Sequence, residues 1–194
     1  MFNLSRTAAV ATLMLTIAAC GAIQAQRIAN PATVDADAMA LRDFRARVGK
    51  YMELRKGLTA KISAPQQSAD AAKIRAAQQV LADAIQAARK DSKAGDIFTP
   101  AVRTTFRRVM YPELTGAEGQ DTKALIKDDA PTAVPLKINS HYPDKEPLST
   151  VPPNILARLP QLPKELDYRI VKTHLLLRDV DANLILDFIP NAIR

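Results

Sequence analysis

Two histidines, one cysteine and a few paired carboxylates are the side chains in this chain whose types and spacing could do chemistry. A Ser-His-Asp arrangement needs a histidine, and only His141 and His174 are present; neither adjoins a Gly-x-Ser-x-Gly turn. Cys20 is the single cysteine, so no Cys/His cluster exists for zinc and no disulfide can form within the chain. Six glycines leave little room for a phosphate-cradling loop. Asp179-x-Asp181-x-Asn183 opens with the rhythm of a calcium loop. Leu184 then stands where the sharp-turn glycine belongs, and Pro190 where the closing carboxylate belongs. A hairpin turn is the better reading. Asp128–Asp129 and Asp179/Asp187 are the nearest candidates for paired-carboxylate chemistry, although surface charge is the commoner meaning of such pairs. The inventory therefore assigns no catalytic, cofactor-binding or metal-binding residue.

The N-terminus carries an address. Arg6 precedes an apolar run over 8–19, and small residues follow as far as Ala25, the pattern of an export signal over 1–25. The run is too short for a permanent membrane helix. Two cleavage readings compete. Ile17-Ala18-Ala19-Cys20 resembles a bacterial lipobox, which makes Cys20 a candidate lipidation residue, and Gly21 in place of Asp goes with the outer membrane. Ordinary cleavage after Ala25 instead starts a soluble periplasmic protein at Gln26. Either way about 170 residues remain, enough for one domain with its own core.

Composition narrows the partners. Hydrophobic residues at 47% and charged residues at 24% fit a globular chain. Aromatics are 5% with no Trp, which counts against stacking platforms for single-stranded nucleic acid, as does export. The net charge is +7. Residues 20–99 hold 13 basic against 8 acidic side chains, a surplus of five; residues 100–194 hold 13 against 12, a surplus of one. The excess sits toward the N-terminus, where an anionic membrane surface is the natural partner. Arg47, Lys50 and Lys61 are the candidate contacts, clustered on the flank of the first helix; a solvated face is the bland alternative.

The elements that must position these residues follow from periodicity. Residues 26–33 read as a tether, and residues 34–194 as one α+β domain, helical over 34–130 and sheet-forming over 131–194. Thr33 offers a cap to a helix over 34–62, with Asp35 and Asp37 in its first turn. Leu41, Phe44, Val48, Tyr51, Leu58 and Ile62 make its apolar stripe, which Arg55 interrupts. A breaker over 63–68 leads to a second helix over 69–92, with Ile74, Ala77, Leu81, Ile85 and Ala88 on one face. The two form an antiparallel hairpin. Thr99-Pro100 caps a third helix with Val102, Phe106, Val109 and Met110 inward, and a short helix is expected over 121–128. Val134, Leu136 and Ile138 alternate as an edge strand, with Leu136, Leu176, Leu186 and Phe188 in one layer against Phe106. A helical turn from Pro152-Pro153 to Leu159 precedes strands over 168–171, 174–179 and 184–189.

The C-terminal stretch resembles the terminal module of exported bacterial proteins of the nickel/cobalt-homeostasis and anti-virulence-regulator types. Leu159, Pro160, Leu162, Pro163, Tyr168, Asp179 and Asp187 are the matching positions, over about forty residues. Lys172-Thr173 and Ala182-Asn183 stand where that module has glycine in its turns, and its histidine-rich metal segment is missing. The whole mature chain, including Gly95–Arg103 (GDIFTPAVR), resembles a group of exported proteins of unknown function. Neither resemblance brings a catalytic residue. The expectation is an exported cell-envelope protein with a non-enzymatic binding or assembly role, partnered by an anionic membrane surface or another envelope protein. The alternatives are a periplasmic metal- or ligand-associated accessory protein, as the module implies, and an unrecognised hydrolase.

Overall fold

A long helix, α1 (Pro31–Thr59), supplies one wall of the core through Ala40, Phe44, Val48, Tyr51 and Arg55, all buried. The computed structural model describes residues 31–62, 70–129, 131 and 134–193. The expected signal segment, Cys20 and most of the expected tether lie outside the described residues. The rest of that tether, 31–33, belongs to α1, so Thr33 is inside the helix rather than its cap. A proline at the first helical position already suits the helix start there. Asp35 and Asp37 consequently fall beyond the first turn. Asp37 instead accepts from Thr105 Oγ1 at 2.7 Å and Arg108 Nη1 at 2.6 Å, fastening α1 to the third helix.

Asp70 caps α2 (Ala71–Ala88) by accepting the Ala72 amide at 2.8 Å. Only its C-terminal half meets the core, through Leu81, Ala82 and Ile85; Ile74 is 48% exposed and Ala88 is exposed, contrary to the expected face. Geometry explains this. Arg89, just past α2, lies over the ring of Tyr51, α1 stops eight residues later, and α2 starts eighteen residues earlier. Two antiparallel helices with equal rise therefore leave the first turns of α2 beyond the end of α1.

Thr99 and Pro100 start α3 (Pro100–Met110) as expected, and Val102, Phe106 and Met110 are fully buried. A single 3-10 turn over Tyr111–Leu114 leads to α4 (Gly116–Asp129), which begins five residues before the expected start. A one-turn helix, α5 (Pro153–Leu156), precedes the sheet.

The sheet is antiparallel in the order β1-β2-β3, with β1 Leu166–Val171, β2 His174–Asp179 and β3 Leu184–Ile189. The chain is thus an α+β fold, helices first and a small C-terminal antiparallel sheet last. Arg178 pairs with Ile185 but Leu177 pairs with Asp187, so Leu186 is an extra residue, a β-bulge. The bulge turns Asp187 onto the face shared with Leu177, toward the helices.

Both faces of the sheet are covered. Tyr168, Leu175, Leu177, Leu184 and Leu186 join the helices in the main core, where Phe44, Phe98 and Phe106 pack ring to ring at 5.0–5.6 Å. Leu176 and Phe188 face the other way, with Val134, Leu136, Tyr142, Val171 and Ile185. Of the four residues expected beside Phe106 in one layer, only Leu186 is on the helix side. The expected edge strand over 134–138 is also absent among the described residues. Pro135 brings no amide, its carbonyl instead accepts the Lys137 amide two residues on at 3.1 Å, and Asn139 takes a positive φ of 59°. Pairing with β3 is confined to 139–142, where Asn139 donates to the Ile185 carbonyl and Tyr142 to that of Asn183.

Candidate functional site

Ionisable groups buried in an apolar core are the places where chemistry is most often found, because burial shifts their charge equilibria. Among the described residues two carboxylates are completely buried, Asp179 at the end of β2 and Asp187 after the bulge in β3. Each is saturated. Asp179 accepts from Tyr51 Oη at 2.7 Å, from Arg55 Nε at 2.8 Å and from the Ala182 amide at 2.8 Å. Arg55 also pairs with Asp181. Asp187 accepts the amides of Gly95 at 3.0 Å and of Ile97 and Phe98 at 2.8 Å. Three amides of the loop before α3 thereby converge on one carboxylate, and Gly95 reaches it with a φ of 100°.

Arg89 lies between these acids. It sits 5.2 Å from the Tyr51 ring centre and gives one guanidinium N–H to the Leu186 carbonyl at 3.0 Å. That carbonyl belongs to the bulged residue, which the ladder leaves without a regular partner. Burial pulls the Arg89 pKa down, with Tyr51 and Asp187 opposing it. Burial also acts to lower Arg55, but the carboxylates of Asp179 and Asp181 outweigh it and hold the cation. Burial first, then the Asp179 charge, pushes the Tyr51 phenol far up. The network can clamp α1, α2 and the sheet together; each acid in it accepts from an internal donor.

The remaining chemical candidates are dispersed. His141 is exposed and bridges to Leu184, while His174 Nδ1 accepts the Asn191 amide at 3.0 Å. Burial, then the nearby Lys172 charge, lowers the His174 pKa, which favours that neutral acceptor form. Asp128 and Asp129 are exposed at the end of α4, where Asp129 accepts the Thr150 amide at 3.3 Å. Asn183 donates to the Tyr142 carbonyl at 2.8 Å and accepts from Arg178 at 2.9 Å, so the calcium-like rhythm serves a turn. Among the described residues no three His, Cys, Asp or Glu side chains converge on one point.

Of the three cations expected to meet an anionic surface, Arg47 is tied down. It pairs with Asp43 at 2.9 Å and donates to the Asp96 carbonyl at 2.7 Å. Lys50 is exposed on α1, and Lys61 is exposed in the turn after it. The partners that sequence reasoning missed are Arg55 and Arg89. A cation four residues from Tyr51 on an apolar stripe, set against two Asp inside apolar strands, was the available signal.

Among the described residues the surface holds several concavities, two of which adjoin the sheet. One, about 440 Å³, lies beside β1 under Val151, Leu156, Leu159 and Leu162, with Asp167 and Arg169 at its rim. Those two rim charges bond each other at 2.7 Å. The other, about 620 Å³, runs between the end of α2 and the 136–139 segment. Comparison of the chain with protein-family models, with curated proteins and with solved structures finds no match in any of the three.

Proposed function

We propose that this chain is an exported cell-envelope protein that works by binding or assembly rather than by turning over a substrate. One observation carries the reading: among the described residues both fully buried carboxylates have no exposed surface and are engaged by internal donors, Asp179 by Tyr51, Arg55 and Ala182, and Asp187 by three loop amides. A general acid or base must come within hydrogen-bond reach of its substrate, and these two carboxylates present no surface to one. The export part rests on Arg6, the apolar run and the small residues before Gln26. The module resemblance over Leu159–Asp187 favours a second reading, a periplasmic metal- or ligand-associated accessory protein.

Three measurements test this. Fractionation with mass spectrometry of the native N-terminus distinguishes acylated Cys20 from Gln26, and a cytoplasmic protein retaining Met1 would overturn export. A thermal-shift series against anionic phospholipid, envelope glycans and divalent metals is run beside a hydrolase substrate panel. Stabilisation without turnover supports binding, and stabilisation by a metal alone moves the assignment to the accessory reading. Turnover that disappears in Asp179→Asn or Asp187→Asn would overturn the non-enzymatic reading.

A further inference from the structure

The concavity at the end of α2 has two walls of different origin. Lys90 and Lys93 follow α2 on one side; Lys137 stands on the other. All three are exposed, and among the described residues none of them makes an ion pair. Of the acids nearest in sequence, Asp96 accepts the Lys93 amide at 2.8 Å, and Asp91 is exposed without pairing to these lysines. Lysines beyond a helix C-terminus offset its partial negative charge, which accounts for Lys90 and Lys93. It does not account for Lys137, which belongs to no helix.

The walls are held in fixed relation. Gln86 Nε2 donates to the Asn139 carbonyl at 2.8 Å, and Asn139 Nδ2 donates back to the Arg89 carbonyl at 2.7 Å. The Asn139 amide is bound in turn to β3 through the Ile185 carbonyl at 2.8 Å. Leu136, Ile138 and Phe188, each half-buried, give the cleft an apolar lining. Three compact cations around an apolar lining, on walls that need no rearrangement, suit a multiply charged anion carried on an apolar body.

We infer that this cleft binds a phosphoryl anion, with Lys90, Lys93 and Lys137 gripping the phosphate and the Leu136–Phe188 lining taking the group attached to it. A lipid headgroup and a soluble phosphate ester share this chemistry. The inference deepens the binding reading and rests on it, but absence of anion binding would leave export and the non-enzymatic assignment standing.

The test uses the mature chain. Binding is measured to glycerol phosphate in solution and to phosphatidylcholine vesicles with increasing phosphatidylglycerol, at low and high salt. Amide shifts in the first titration are expected at 90–94 and 136–139. The variant Lys90→Gln/Lys93→Gln/Lys137→Gln should weaken binding about tenfold or more, while Lys73→Gln/Lys127→Gln/Lys164→Gln, with the same net charge, should retain it. Binding to both probes or to the soluble one alone marks a phosphate-ester site, and binding to vesicles alone marks a headgroup site. No binding to either probe, equal loss in the two triple variants, or shifts centred elsewhere would overturn the inference.

Discussion

Arg55 and Asp179 stand 124 residues apart in sequence, yet the Arg55 Nε lies 2.8 Å from the Asp179 carboxylate in a site where the acid has no solvent exposure. The pair joins the first helix to the last hairpin. A buried charge left alone costs far more than a buried pair replaced by apolar side chains of similar volume. Arg55→Leu should therefore destabilise by about 3–5 kcal/mol in denaturant unfolding. The double variant Arg55→Leu/Asp179→Leu should recover much of that loss. Additive losses would show that the two residues act independently.

Asp187 plays a comparable part for the loop before α3. Asp187→Ala removes the acceptor for the Gly95, Ile97 and Phe98 amides together. With each buried unpaired donor costing about 1–3 kcal/mol, a loss of at least ~3 kcal/mol is expected. Amide hydrogen exchange should accelerate first over 95–98. A uniform acceleration across the domain would mean that the loop has no independent dependence on this carboxylate.

Lys172 is a lysine in left-handed backbone, at φ 53°, in the turn between β1 and β2. A side chain there costs about 1–2 kcal/mol, and glycine recovers it less the ~0.4–1 kcal/mol of added freedom in the unfolded chain. Lys172→Gly should raise stability by about 0.5–1 kcal/mol, read as a higher denaturant midpoint at unchanged slope. Lys172→Ala should bring no such gain.

His174 sets a pH dependence. Its proton is held less tightly in the folded protein than the ordinary value of 6.5, because of burial and then Lys172. Below that value the unfolded chain takes up the proton first. The stabilising contribution is fully present above about pH 6.5 and falls as the pH drops below it. The denaturant midpoint should decline between pH 7.5 and 5.5, and His174→Gln should flatten that part of the profile. An unchanged slope in the variant would assign the decline to other groups.

Much of the architecture is legible from local pattern. The strands over 174–179 and 184–189 coincide with β2 and β3, and Thr99-Pro100 starts α3 where the cap and proline put it. Phe44, Val48 and Tyr51 are buried because a 3.6-residue period makes a stripe whatever lies opposite. The expected export signal and the lipidation reading of Cys20 rest on sequence alone and lie outside the described residues.

What sequence could not supply is the partner across space. Arg55 reads as a flaw in a stripe until Asp179 is placed against it. Alternation puts Asp187 on the wrong face unless Leu186 is known to bulge, and a bulge depends on both strands of a pair. The 134–138 segment alternates like a strand, but Pro135 and the turn at Asn139 confine pairing with β3 to 139–142. Lys137 joins Lys90 and Lys93 only because Gln86 and Asn139 fasten two distant segments together. Periodicity is a property of neighbours along the chain, whereas pairing, register and clefts depend on contacts between segments far apart in sequence, and only the tertiary structure decided those.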